Sequence, residues 1–359
     1  MGMTVSDMVT SAPSVWGATN AAAAAAVYPP AALVALPLAA VVSDPAQMWH
    51  AGERYGDVAT QIRSASAEMT EAVTRHAGAD HWSERGRNAF IATRVTPYQN
   101  NLGQAAAMYD DIQSTLKGCA TAYVGAGLSS GVIGATVLTY VSALLALGAV
   151  PGANVAWTAT TNARILTVLR VARSLVDGLA KVNRLAGSVV GRLTADFGAL
   201  NVVLPTLAVG GAAVSGYYIT GSAGKSFERT QTTLHWPRQL PAGAAMPAGY
   251  HAPGAADKDA IKKIEPESIK ALGKDLDTGA AETLGKAYDQ ARGNDVGYPG
   301  FGFIGIHLAQ AHSVMRDHAA QQLAASRDTP GTWLPGLRTN ADNWIFAEQA
   351  NVDATKHPR

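Results

Sequence analysis

The sequence predicts an all-α protein in which long antiparallel helical hairpins form a bundle, with an apolar, Gly/Ala-rich helical region in the middle. Apolar residues recur at steps of three and four on both sides of residues 81–86, which is the seam of helices that pack lengthwise on a neighbour. Residues 118–163 contain no charged residue, and no stretch of the chain alternates as a strand would. Two helices joined by so short a break should fold back on each other.

The first element is an Ala-rich lead segment, residues 1–43. It is apolar but interrupted by Pro29, Pro30 and Pro37, so we expect a partly helical segment that packs on another part of the protein. No Lys or Arg precedes Arg54, so the basic start of a secretory signal peptide is missing. We therefore expect no cleaved signal peptide.

The second element is a helical hairpin over residues 44–123. Pro45 suits the first turn of its first helix, which should run to about Arg75. The second helix should begin after Trp82 and continue to the end of this range. Pro97 should bend this helix or separate its first turns.

The overall composition excludes some classes of function. A net charge of +1 gives no reason to expect a nucleic acid partner, which usually needs a basic face. The single cysteine, Cys119, excludes an intrachain disulfide framework and a Cys-based zinc cluster. Because Cys119 lies on the apolar seam, we interpret it as a buried structural thiol.

Residues 124–224 form an apolar and amphipathic helical region. Residues 132–150 are long enough to cross a bilayer, which takes about 20 apolar residues. Gly127 and Gly131 are spaced as a GxxxG pair, and Ala135 extends their small-residue face. We assign these three residues to contacts between membrane or oligomer helices, because small residues let two helices approach closely.

A basic amphipathic helix follows at about residues 162–193, and a second charge-free run covers residues 197–224. Two interpretations of the middle region stay open. In one, its apolar helices are buried by other helices or by a partner subunit. In the other, they enter a membrane and the basic helix lies on the lipid surface.

The C-terminal part contains a Pro/Ala/Gly-rich linker at residues 225–258 and a second helical hairpin at residues 259–350. Breaks in this hairpin are expected at residues 292–300 and again at residues 329–331, where the sequence reads Thr-Pro-Gly. Residues 351–359 are expected to form a tail.

The segment from Trp82 to Phe90, Trp-Ser-Glu-Arg-Gly-Arg-Asn-Ala-Phe, resembles the bend of the WxG-motif proteins that actinobacterial type VII (ESX) systems secrete. In that family a Trp and a nearby Gly close a helical hairpin. The resemblance implies that Trp82, Gly86 and Phe90 form the hairpin turn. One departure is that Glu84 stands in the motif's glycine position, and Gly86 is the nearest glycine.

A second resemblance lies in residues 300–305, Gly-Phe-Gly-Phe-Ile-Gly, and the Ala-rich helix after them, which look like another ESX-secreted hairpin type. The export signal of such proteins is a Tyr with an acidic residue four positions later. Trp344 and Glu348 have this spacing, with Trp in place of Tyr, one helical turn apart. The resemblance implies an export signal there, and the alternative is a core Trp beside a solvated Glu.

The sequence assembles no catalytic, cofactor or metal set. Residues 221–226 read Gly-Ser-Ala-Gly-Lys-Ser, but Ile219 stands where a phosphate-binding loop needs its first glycine. His307, His312 and His318 are five and six residues apart, which does not place them on one helix face. We therefore expect a protein that is not an enzyme and has no cofactor.

Together, these patterns and resemblances predict a secreted or cell-surface protein of the type VII route, exported without a cleaved signal. It would self-assemble or be directed to a membrane, as a pore, channel or structural component. Its partners would be the secretion machinery, itself or a co-secreted helical protein, and a lipid bilayer. The alternative is a carrier that delivers a toxin or enzyme partner to the secretion machinery.

Overall fold

The computed structural model describes residues 11–78, 81–82, 84–147, 154–209, 265–297 and 299–356. Within these ranges the regular structure is helical and no strand is present, which confirms the all-α fold class. A 3-10 turn lies at Pro29–Ala31, and π-helical segments lie at Ile91–Val95 and Leu276–Ala280. The α-helices in chain order are α1 (Ala12–Val27), α2 (Ala32–Val41), α3 (Pro45–His76), α4 (Glu84–Phe90), α5 (Thr96–Leu147), α6 (Asn154–Val209), α7 (Pro266–Asp275), α8 (Ala281–Arg292) and α9 (Ile306–Lys356).

The first long helix, α3, has the predicted bounds because its start is well capped. The carboxylate of Asp44 accepts hydrogen bonds from the backbone N–H groups of Ala46 and Gln47, at 3.1 and 3.3 Å. Pro45 occupies the first helical position, where its missing N–H costs nothing.

The helix after Trp82 is divided ahead of Pro97, as predicted. Pro97 lacks the N–H that would bond to the carbonyl of Thr93, and the π-helical segment Ile91–Val95 stands at this point between α4 and α5. However, α5 does not end near Tyr123. It continues without a break to Leu147.

The predicted break at residues 329–331 is wrong, because α9 runs continuously through Pro330 and Pro335. A proline in a helix leaves the carbonyl four residues earlier without its usual N–H donor. For Pro330 that carbonyl belongs to Ser326, and the hydroxyl of Tyr98 donates to it at 2.6 Å. A donor from another helix therefore replaces the missing backbone bond. The predicted break at 292–300 is confirmed, since it separates α8 from α9.

The chain divides into two compact units, each assembled from separate stretches of sequence. The first unit comprises the described parts of residues 1–55, 111–191 and 294–315. The second unit comprises the described parts of residues 56–110, 192–293 and 316–359.

The core of the first unit is formed by four helices, and it includes the lead segment. Buried apolar side chains of α1 and α2 pack with those of α5 and α6, which confirms that the lead segment is partly helical and packs on the chain. The hydroxyl of Tyr28, just after α1, donates to the side-chain oxygen of Asn162 at 2.6 Å. The core residues are Ala21, Ala24, Ala31, Val34, Leu38, Ile133, Val137, Val141, Ile165, Leu169 and Ala172.

The bend before α9 also belongs to the first unit, and one of its glycines has a positive φ. Gly302 has a φ of +62°, and a Cβ at this position would collide with the carbonyl oxygen of Val42. The side chain of Phe301 is buried, and its carbonyl accepts a hydrogen bond of 2.9 Å from the hydroxyl of Tyr123.

The second unit packs the C-terminal helices on α3 and α5. The hydroxyl of Tyr109 on α5 donates to the carbonyl of Ala319 on α9 at 2.9 Å. Thr283 on α8 donates to the carboxylate of Glu68 on α3 at 3.0 Å. The two predicted helical regions therefore contact each other within one chain, and their antiparallel hairpin arrangement stays a prediction.

The predicted linker at residues 225–258 lies outside the described residues. The predicted tail is helical as far as Lys356, where α9 ends.

Candidate functional site: the Trp82 turn and an uncharged surface

The Trp82 turn is the centre of an aromatic cluster in the second unit. The ring of Trp82 lies 5.7 Å from that of Phe90, and Phe90 lies 5.8 Å from Trp333 on α9. Trp333 in turn contacts Tyr98 at 5.4 Å. The ring of Trp82 is buried, so the cluster is a packed core.

Gly86 makes room for the Trp82 ring. A Cβ at residue 86 would lie only 3.0 Å from Trp82 Nε1, which is closer than most Cβ contacts in proteins. Trp82, Gly86 and Phe90, which the resemblance assigned to the turn, are thus brought together. Gly86 therefore lies against the Trp82 ring.

The turn is fastened to the start of α7 by hydrogen bonds. The backbone N–H of Glu265 donates to the carbonyl of His81 at 2.7 Å, and Glu265 Oε2 lies 2.6 Å from His81 Nδ1. Nearby, His76 Nε2 lies 2.8 Å from Asp275 Oδ2 on α7. The turn therefore joins the two predicted hairpins.

The sequence did not identify Tyr98 and Trp333 as parts of the turn. Both residues fit a helical apolar pattern, but spacing along one helix cannot indicate which distant helix will contact it. Burial raises the pKa of Tyr98 above its ordinary value, so its hydroxyl keeps the proton that it donates to Ser326.

A different feature distinguishes the first unit: the outer faces of its apolar helices carry no charge. Residues 12–41 and 125–146 contain no Asp, Glu, Lys or Arg. We call the exposed side chains of these two stretches the uncharged surface. Its large apolar members, exposed by between 44% and 72%, are Val15, Trp16, Val27, Leu33, Leu36, Leu128, Val132 and Leu145.

Three hydroxyl groups of α5 on this surface are hydrogen-bonded within their own helix. Ser129, Thr136 and Thr139 donate to the carbonyls of Gly125, Val132 and Ala135, at 2.8 to 2.9 Å. Such bonds reduce the free energy needed to move a hydroxyl out of water, because the donor keeps a partner.

The small residues predicted to contact membrane or oligomer helices contact α1. Gly127 is packed on Pro13 and Ser14, and Gly131 on Pro13 and Trp16. The close contact of this helix pair is thus made within the chain, and Ala135 beside it is half-buried. In this structure α1 occupies the face of Gly127 and Gly131, and their predicted contacts with membrane or oligomer helices stay a prediction.

Two helical stretches are long and apolar enough to cross a membrane, by length and composition. They are Pro29–His76 and Gly86–Ala146, and only 39% and 33% of their most apolar windows is buried in the protein.

The proposed export residues lie on α9 in the second unit. Trp344 is half-buried, and the following Ile345 and Phe346 are exposed, the latter by 78%. Glu348 follows one turn later on the same helix, with its side chain outside the described part of the structure.

Two other candidate features form no enclosed site. An open groove of about 510 Å³ in the second unit has mixed charges, and its Arg327 is paired with Asp328 at 2.8 Å. In the first unit, His312 is buried and lies 3.2 Å from the hydroxyl of Tyr55, as a core histidine does. Among the described residues, no group of three or more His, Cys, Asp or Glu is placed to hold a metal ion.

No protein-family model matches the chain, and neither a curated protein nor a solved structure matches it.

Proposed function

We propose that this is a non-enzymatic helical protein that inserts the uncharged surface of its first unit into a lipid bilayer, as a pore or structural component, after export by a type VII-like route. The observation that carries the proposal is the combination of exposed large apolar side chains with a complete lack of charge over residues 12–41 and 125–146. Exposed large apolar side chains that collect on one part of a protein mark membrane or protein contacts when they adjoin one another.

The energetics favour transfer of this surface out of water. Burying one Leu or Val side chain contributes about 1.5 to 3 kcal/mol, and several such side chains are exposed here. A charged side chain on the same surface would oppose transfer by about 3 kcal/mol at the bilayer centre. No such charge is present in these two stretches.

A bilayer suits this surface better than a second copy of the chain. The close-packing glycines Gly127 and Gly131, which would favour a helix dimer, are already covered by α1. What stays exposed on α5 is a mixture of apolar side chains and internally bonded hydroxyls, such as Leu128, Val132 and Thr139.

Flotation with lipid vesicles tests the proposal. Leu36 and Val132 are 72% and 68% exposed, so a Leu36→Lys, Val132→Lys double variant should fold normally. We expect the wild type to float with vesicles and to release an entrapped dye, and the double variant to bind at least about tenfold less tightly. The matched control is Phe346→Lys, which changes an equally exposed apolar residue of the second unit and should bind as the wild type does.

Light scattering after size exclusion separates the alternatives. A chain that stays monomeric and leaves vesicles intact contradicts the proposal. Self-association that the double variant abolishes, without vesicle binding, would instead identify the uncharged surface as a protein contact, as the carrier alternative requires.

The export part of the proposal rests on Trp344 and Glu348, one turn apart on α9. A Trp344→Ala, Glu348→Ala variant should accumulate in cells of a host with a type VII system, whereas Phe346→Ala should be exported. Unchanged export of the double variant would show that Trp344 and Glu348 are not the export signal. The vesicle experiment does not depend on this result.

A further inference from the structure

Helix α6 carries a strip of basic side chains on its exposed face. We call Arg170, Arg173, Lys181 and Arg184 the basic strip, and all four are exposed. At about 100° per residue they fall within an arc of about 80°, and they extend over about 21 Å of helix. They therefore form one line of positive charge.

These charges are only partly balanced by acids nearby in the chain, since Asp177 alone lies four residues from both Arg173 and Lys181. None of the four forms an ion pair with any residue that the structure describes. Asp177 is the one acidic residue within the strip's own length. In the second unit, by contrast, Lys286 is paired with Glu282 at 2.9 Å and Lys270 with Asp342 at 3.0 Å.

Large apolar side chains flank the basic strip. Leu166, Val171 and Leu185 are exposed by 48%, 54% and 70%. Val171 and Leu185 are fourteen residues apart and so project from the same side of the helix. Basic residues interleaved with exposed apolar ones are typical of helices that lie in a membrane interface.

The opposite face of α6 anchors the strip to the helices of the uncharged surface. Ile165, Leu169 and Ala172 are buried in the core that α1, α2 and α5 share. At the N-terminal side, the Arg164 guanidinium lies 5.2 Å from the ring centre of Tyr140 on α5 and 5.6 Å from that of Trp157. The basic strip is thus a fixed part of the first unit.

We propose that the basic strip binds the anionic headgroups of phospholipids, so that the protein selects negatively charged bilayers. This inference rests on the proposed membrane function and names the lipid class that the protein recognises. The lipid phosphates supply the negative charge that the strip lacks within the chain, and Val171 and Leu185 enter the boundary between headgroups and acyl chains.

Nucleic acid is a poorer match for the same charges. A duplex offers phosphates but no apolar phase for Leu166, Val171 and Leu185, and the net charge of the whole chain is only +1. Both parts of the surface, the cations and the apolar flank, are matched by an anionic bilayer.

The test compares the full chain on two kinds of vesicle, phosphatidylcholine alone and phosphatidylcholine with about 30% phosphatidylglycerol. Each basic residue near an anionic surface strengthens binding about fivefold. We expect at least about twentyfold tighter binding to the anionic vesicles at about 0.05 M salt. Most of this preference should disappear at about 0.5 M salt, where charges are screened within a few ångströms.

Two variants with equal charge separate the strip from the net charge. In the strip variant, Arg170, Arg173, Lys181 and Arg184 are each replaced by Gln. In the control variant the exposed residues Lys274, Lys286, Arg292 and Arg338 of the second unit are each replaced by Gln. Both variants change the net charge from +1 to −3, since four positive charges are removed from each. The strip variant should lose the preference for anionic vesicles. The control variant should retain at least half of this preference, measured as the logarithm of the ratio of its affinities for anionic and neutral vesicles.

A third variant should change binding in the opposite direction. Asp177→Asn removes the acid within the strip and is expected to strengthen binding to anionic vesicles about fivefold, with no effect on neutral vesicles. Circular dichroism of each variant checks that its helices are intact.

The outcomes distinguish this inference from the proposed function. Equal binding of the wild type to neutral and anionic vesicles overturns the inference and leaves the membrane function standing. Binding to neither kind of vesicle overturns both. An equal loss in the strip and control variants overturns the inference, because the net charge alone would then explain the preference.

Discussion

At the scale of single residues, the closest helix contact of the first unit depends on the absence of two side chains. Gly17 on α1 and Gly134 on α5 face each other, and a Cβ on Gly134 would collide with the carbonyl oxygen of Gly17. A Cβ on Gly17 would collide with the carbonyl of Ser130. Helix α1 can therefore approach α5 this closely only where both helices have glycine.

Gly134→Ala should destabilise the protein, because one of the two helix backbones must move. We expect the free energy of unfolding to fall by about 1 to 3 kcal/mol, as for other overpacked cores. The matched control is Gly125→Ala on the same helix, where a Cβ meets no atom of the described residues within 4 Å. This change should raise stability by up to about 1 kcal/mol, through helix propensity alone. Denaturant unfolding of both variants measures the two changes in the free energy of unfolding. If both changes had the same sign, the close contact between Gly17 and Gly134 would be contradicted.

Burial also determines the behaviour of Cys119. It is buried as predicted, and burial raises the pKa of its thiol to about 11. In the unfolded chain the thiol has its ordinary pKa of about 9.0. Between these two values the unfolded chain loses a proton that the folded chain retains. The stability of the folded state must therefore decrease as the pH rises through this window.

The contribution of Cys119 can be isolated with Cys119→Ala. From about pH 8 to about pH 10.5 the wild type should lose about 2 kcal/mol more unfolding free energy than the variant does. Burial also raises the pKa of Tyr123 to about 12, and this effect of burial is present in both proteins and cancels in the comparison. A smaller increase in the pKa of Tyr123 comes from the charge of Cys119 itself and so belongs to the difference that is measured. Equal pH profiles in denaturant unfolding would show that the thiol is accessible to water.

At the scale of elements, the sequence predicts helices well where their ends are determined locally. The start of α3 follows from Asp44 and Pro45, and the segment that divides α4 from α5 lies at Pro97, where local chemistry places it. The prediction fails at Pro330, where the outcome depends on a residue far away in the sequence. The hydroxyl of Tyr98 donates to Ser326 and supports the helix across the proline.

A double-mutant cycle tests this explanation of α9. Tyr98→Phe should lower the free energy of unfolding by about 1 to 3 kcal/mol, because the Ser326 carbonyl loses its donor in a buried setting. In a Pro330→Ala background the loss should be much smaller, since the substitution restores the missing backbone N–H. The two changes should therefore be coupled by about 1 kcal/mol.

Tyr109→Phe is the control for this cycle. Its hydroxyl also donates to a carbonyl of α9, that of Ala319, but the residue four positions later is Leu323, which has an N–H. Its effect should add to that of Pro330→Ala without coupling. Coupling of similar size in both cycles would contradict the role given to Tyr98.

The same distinction applies to the candidate sites. Trp82, Gly86 and Phe90 could be named from the sequence because they are close together along the chain, but Trp333, whose ring contacts that of Phe90, could not. The small-residue face of Gly127 was predicted as a contact surface, but the sequence pattern does not show that the partner helix is α1. Periodicity identifies which face of a helix is apolar, and only packing identifies what covers it.

At the scale of the whole molecule, charge is unevenly distributed. The ion pairs among the described residues include Arg63 with Asp110 and Lys286 with Glu282 in the second unit, and both pairs are largely exposed. Exposed pairs contribute little to stability, typically below about 1 kcal/mol each. The basic strip of the first unit makes no such pairs with described residues.

Stability should therefore depend only weakly on salt. Raising the salt from about 0.05 M to about 0.5 M should change the free energy of unfolding by less than about 1 kcal/mol, because the exposed pairs contribute little and are screened. Denaturant unfolding at the two salt concentrations checks this. A larger decrease would mean that paired charges hold the fold together, and the effect of salt on vesicle binding would then have to be corrected for unfolding.

The lack of charge in the uncharged surface also determines which reagents can detect this surface. Trypsin cuts after Lys and Arg, and the first such residue in the chain is Arg54, whereas none lies between Lys117 and Arg164. The whole uncharged surface is therefore contained in two long, apolar tryptic peptides, residues 1–54 and 118–164. Amine- and carboxylate-directed cross-linkers find no side chain to modify in residues 12–41 and 125–146. A carbene-generating label dissolved in the acyl chains would be needed to record where this part of the protein lies.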